Sequence, residues 1–203
     1  MFKLPKFLAL LATFFFLMIA FWSAYSYFAL GNLQISQEDG FLENGQVFFL
    51  IAACILFLIP VFKRCTNGRL ILLFCSWLCL NFVLREVDVE NYDVPGWMIF
   101  IGSGMGRNLI LLAGYVAIFM AASLKMKYYF GQSLRFLRSK EAFLLILGGV
   151  FLILGLVFEK YWDVPHHEFW EELMEFVGYF LIVLSSIASN FRRECEIPAN
   201  PQH

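Results

Sequence analysis

The sequence has almost no net charge and almost no room for a soluble domain. A balance of −1 over 203 residues leaves no whole-protein basic or acidic field of the kind that draws a chain to nucleic acid. The five cysteines form no CxxC knuckle and no disulfide framework. Cys54, Cys75 and Cys79 fall inside apolar runs and read as packing residues, while Cys65 and Cys195 stand beside the basic stretches FKRCTNGR and FRRECE. No histidine lies within an apolar run, which removes the usual axial ligand of a haem held between helices. What the chain has in abundance is hydrocarbon. It is 61% hydrophobic and 19% aromatic, with a mean hydropathy of +0.72, well past the apolar share of about 45–50% in a soluble domain. This is the composition of a membrane protein.

A bilayer-spanning helix needs about 17–25 largely apolar residues. Six runs approach that length, at about 7–30, 47–62, 70–84, 109–124, 142–158 and 173–188. They predict an all-α polytopic integral membrane protein with six transmembrane helices. Residues 1–203 form one transmembrane domain, arranged as tandem hairpins at about 7–62, 70–124 and 142–189. The opening MFKLPKFLALLATFFFLMIAFW mimics a signal peptide. Its apolar run is too long for an h-region and no convincing A-x-A site follows, so it is read as a retained first helix.

Sorting of the bases fixes an orientation. With both termini in the cytoplasm, 12 of the 15 Lys and Arg residues lie inside, and only Arg85, Arg107 and Lys160 lie outside. The acids sort the other way, with only Glu141, Glu194 and Glu196 inside. The expected location is a bacterial inner membrane. KMKYYFGQSLRFLRSK, with bases interleaved among aromatics, reads as an amphipathic segment lying on anionic lipid. Membrane lipids are thus expected partners, beside a membrane-protein partner or a second copy of the chain.

Two loops share a tripeptide, Asp93-Val94-Pro95 in NYDVPGW and Asp163-Val164-Pro165 in KYWDVPHHEFW. The helices after them align as RNLILLAGYVAIFMAAS and EELMEFVGYFLIVLSSI, matching Gly114-Tyr115 with Gly178-Tyr179. A weaker echo in FLENGQVFFLI brings Glu43 opposite Glu171. Helix pairs three to four and five to six therefore read as parallel repeats. Repeats in membrane folds often hold their site at the repeat interface. The aligned polar positions are Glu43, Arg107 and Glu171.

On the last run, Glu171, Glu175, Gly178, Ile182, Ser185 and Ser189 recur at three- and four-residue steps and share one face. Its small residues mark it as the packed face, so it carries Glu171 and Glu175 into the bundle. Asn81, Arg85 and Asp88 form a similar stripe with Glu86 one step round, and Arg107 shares a face with Gly114 and Ala121. Arg85 and Arg107 contribute +2 to the outer rim against −4 from Glu86, Asp88, Glu171 and Glu175. Carboxylates in excess at low dielectric take up protons or recruit a cation. The candidate metal ligands are Glu86, Asp88, His167, Glu171 and Glu175, a mixed imidazole and carboxylate set suited to a divalent zinc, iron or manganese ion. Arg85 and Arg107 are the candidate cofactor-binding bases. Arg107 follows the glycines of IGSGMGRN, which could cradle a lipid phosphate.

The segments QEDGFLENGQVFFLIAACILFLI, LREVD and FWEELMEFVGYFLI resemble those of a broad group of small bacterial inner-membrane proteins of unknown function. The shared motifs, E-D-G-x-x-E, R-E-x-D and E-E-x-x-E, fall here on Glu38 to Glu43, Arg85 to Asp88 and Glu171 to Glu175. The resemblance implies one site and transfers no activity. WEELME is also similar to the EExxxR of intramembrane CAAX-type proteases, but Phe176 stands at the arginine and the later His motifs are missing. The leading expectation is a membrane protein whose outer-facing acidic and imidazole cluster binds a cation or protons, as a small transporter or accessory subunit. Its rivals are a metal-dependent hydrolase acting on lipid and a structural subunit of a larger membrane complex.

Overall fold

The computed structural model describes residues 4–32, 40–62, 68–87, 89–91, 93–160 and 165–191. Among these the chain is all-helical, without a strand: α1 Leu4–Phe28, α2 Phe41–Phe62, α3 Arg69–Glu86, α4 Gly96–Gly102, α5 Gly104–Ser123, α6 Met126–Leu137, α7 Lys140–Lys160 and α8 His167–Phe191. A 3-10 turn, Val89–Asn91, precedes α4. Runs such as FFFLMIAFW carry residues that a strand would also accept. Length decides for helix, because a long apolar segment must satisfy its own N–H and C=O groups where no water reaches them.

Among the described residues, five helices, α1, α2, α5, α7 and α8, are long and apolar enough to cross a membrane. The third expected span, α3, carries Arg69, Arg85 and Glu86 among its 18 residues and stands apart from those five by composition. Most helices run further than their apolar stretches. The largest gain is at α8, where the polar HEFWEE is already helical from His167. The basic amphipathic stretch folds as α6, with no buried residue. WMIFI forms α4, which breaks at Ser103 and leads directly into α5.

The bundle is built around α8, 61% of whose apolar span is buried, against 6% for α1. Its small residues allow α7 to approach: a Cβ at Gly148 would meet the Gly178 carbonyl oxygen at 2.8 Å. Ser185 donates to the Glu141 carbonyl at 2.7 Å, fixing the start of α7 beside the end of α8. On another side α2 packs against both α8 and α3, and α5 packs on α3. There Trp77 covers Gly114 and donates its indole N–H to the Leu111 carbonyl at 3.1 Å. Along α1, Phe16 stacks on Phe176 and Phe180, at centroid distances of 5.2 and 4.2 Å.

Helix α2 carries a proline near its end. Pro60 of α2 has no N–H to offer the carbonyl four residues back, that of Leu56. The side-chain amide of Asn190 on α8 donates to that carbonyl in its place. The start of α8 meets the end of α1 at the opposite end of the bundle. Tyr27 hydroxyl is hydrogen-bonded to His166 Nδ1 at 3.0 Å, and Phe28 packs edge-on to the same ring. Successive long helices therefore alternate in direction along the chain, with the ends of α1, α3 and α7 and the starts of α2, α5 and α8 gathered together, and α2 runs parallel to α8.

Candidate functional site

That gathering of helix ends is the acidic end of the molecule. Glu171, Glu172 and Glu175 enter on the first turns of α8, with Glu175 about 12 Å along the helix from His167. The expected packed face is observed: Glu175, Gly178, Ile182, Ser185 and Ser189 are buried and Glu171 is half-buried. Gly155 of α7 makes the space for one carboxylate. A Cβ there would come within 2.8 Å of Glu175 Cγ.

Arg85, in the last turn of α3, joins two of the acids. Its Nη2 donates to Glu175 Oε1 at 2.6 Å and its Nε to Glu86 Oε1 at 2.9 Å. The arginine side chain is 43% exposed while Glu86 and Glu175 are 9% and 5% exposed. The guanidinium therefore sits at the mouth and the carboxylates lie behind it. Glu86 Oε1 also accepts from the Tyr179 hydroxyl at 2.7 Å, so one oxygen is held by α3 and α8 together.

A second pair lies between α2 and α8. Gln46, wholly buried, donates its amide N–H to Glu172 Oε2 at 2.7 Å and to the Glu172 backbone carbonyl at 3.1 Å. Glu175, Glu86, Glu43 and Glu171 all lie within electrostatic reach of Glu172. Around Glu171 stand Glu175, Glu159 and Glu168, with Arg85 as the opposing charge. The end of the bundle thus concentrates carboxylates beyond what Arg85 can neutralise.

The candidate residues from the sequence are distributed as follows. Arg85, Glu86 and Glu175 meet in one hydrogen-bonded group, and Glu171 stands one turn before Glu175 on α8. His167 is half-buried at the first residue of α8, and Asp88 lies outside the described residues. Arg107, at the start of α5, donates from Nη1 to the Leu84 carbonyl at 2.7 Å. It caps the end of α3. Among the described residues, no group of three or more His, Cys, Asp and Glu side chains is placed to hold a metal ion. Gln46 and Tyr179 are the participants that sequence reasoning missed. The available signals were an amide three residues after Glu43, at the edge of an apolar run, and a tyrosine four residues after Glu175. No protein-family model, no curated protein and no solved structure matches this chain.

Proposed function

We propose that this chain is a six-span bacterial inner-membrane protein with both termini cytoplasmic. Its outward-facing acidic cluster binds protons, or a cation in their place, as a small transporter or an accessory subunit. The observation that carries the reading is the surplus of carboxylate around Glu172. Arg85 is shared between Glu86 and Glu175, Arg107 is turned to a backbone carbonyl, and Glu172 faces further acids. A set of carboxylates withdrawn from bulk water approaches neutrality by holding protons or a cation.

The geometry favours the proton over a divalent ion. A metal draws its ligands to one point. Here each of three carboxylates is already engaged by a protein donor, Glu172 by Gln46, Glu86 by Tyr179 and Arg85, and Glu175 by that same Arg85. The six-span reading includes α3, which alternates in direction with α2 and α5. The tandem-hairpin reading pairs α3 with α5 and α7 with α8, with Arg107 and Glu171 near the start of the second helix of each pair.

Infrared spectroscopy of the detergent-purified protein tests this, with elemental analysis of the same sample. A protonated-carboxyl band at neutral pH, lost in Glu172→Gln and kept in Glu168→Gln, is the expected result. Stoichiometric zinc, iron or manganese lost in Glu175→Gln would replace the proton by a metal. Neither band nor metal would leave a structural charge network and overturn the proposal.

A further inference from the structure

The opposite, basic end of the bundle holds two adjoining cavities of contrasting character. The first, of about 320 Å³, is almost wholly apolar and opens between four helices, with Phe74 and Cys75 of α3, Ile118 and Phe119 of α5, Phe136 of α6 and Leu145 of α7 in its wall. The second, of about 230 Å³, is lined by Gly68, Arg69, Lys125, Tyr128 and Tyr129. Tyr129 borders both. If a methylene takes roughly the 30 Å³ share of a water molecule, the first cavity seats on the order of ten of them.

The two cavities differ as the two parts of a lipid differ. Hydrocarbon suits the first, and two bases with two tyrosine rings at the rim suit a phosphate. Between them runs α6, whose Tyr129, Ser133, Phe136 and Leu137 face the apolar space from one side of the helix. We propose that the joined cavities bind one anionic phospholipid, an acyl chain in the apolar cavity and the phosphate headgroup against Arg69 and Lys125. The proposal rests on the membrane reading of the chain and on nothing at the acidic end, so the carboxyl-band experiment and this one fail independently.

The full chain, purified in a neutral detergent, is titrated with phosphatidylglycerol or phosphatidylcholine and the bound lipid is read by native mass spectrometry. The expected preference for phosphatidylglycerol is on the order of ten-fold. Arg69→Gln with Lys125→Gln removes that preference, whereas Lys127→Gln with Arg138→Gln, outside the pocket, keeps it. Ala122→Phe, which fills the apolar cavity, lowers retention of both lipids and serves as an independent arm should the double variant fail to fold. Equal binding of the two lipids by the wild type overturns the proposal. So does an equal loss in the two double variants, an undiminished retention in Ala122→Phe, or binding of inorganic phosphate as strong as that of phosphatidylglycerol.

Discussion

Glu86 Oε1 receives two donors from two helices, Arg85 Nε and the Tyr179 hydroxyl. Replacing Tyr179 by Phe keeps the buried ring and removes only the O–H. Because the acceptor is also paired with the Arg85 guanidinium, the expected loss is about 1.5–3 kcal/mol of stability, read as a lowered unfolding midpoint in detergent. Arg85→Gln is expected to cost more, about 3 kcal/mol, since it leaves two nearly buried carboxylates without their shared cation. The partial exposure of the guanidinium holds this to the low end of that range. At this scale the sequence was legible along one helix. The three- and four-residue steps that carry Glu171 and Glu175 to the packed face follow from helical geometry alone. Gln46 and Tyr179 were not legible as partners, because helical period says which residues share a face and not how two helices are rotated against each other.

The contact of α7 with α8 depends on which glycine meets which backbone. Gly148→Ala places a methyl 2.8 Å from the Gly178 carbonyl oxygen, so the helices must part. The expected cost is about 1–3 kcal/mol. The adjacent Gly149 has open space where its Cβ would be, and Gly149→Ala is expected to stabilise by about 0.5–1 kcal/mol through helix propensity. Thermal unfolding of the two single variants in one detergent decides between them. A Gly148→Ala variant as stable as wild type would remove the close crossing. The helices themselves were legible because each apolar run is long. Their ends were drawn short because hydropathy stops at the first charged residue, while a helix continues as long as its backbone bonds are satisfied. The polar start of α8 shows the difference, and α3 shows it on a smaller scale, since Arg69 opens the helix and Arg85 and Glu86 close it.

The alternating directions of the helices put the acidic cluster and the α6 basic segment at opposite ends of the molecule. With 12 of 15 bases assigned to the cytoplasmic side, a cysteine at Ser139 is expected to react with a membrane-impermeant reagent only from the cytoplasm, and one at Asp93 only from outside. Labelling in intact cells and inverted vesicles, with the native cysteines replaced, checks both. The opposite pattern would invert the chain. The charge asymmetry that supports this topology is a property of the linear sequence. The way α2, α3 and α8 meet is not, since it depends on Gly155 admitting Glu175 and on a buried amide reaching across from α2.

The hydrogen bond from Asn190 to the Leu56 carbonyl also bears on the order in which the molecule is made. Pro60 leaves that carbonyl without its usual partner as soon as α2 emerges, in a setting where such a group is costly. The residue that answers it is 134 positions away from Leu56, near the end of the last helix. Until α8 is made, the growing chain lacks the donor that this carbonyl has in the folded bundle. The packing of α8 thus completes the hydrogen bonding of α2, and a chain cut before Asn190 is without that bond.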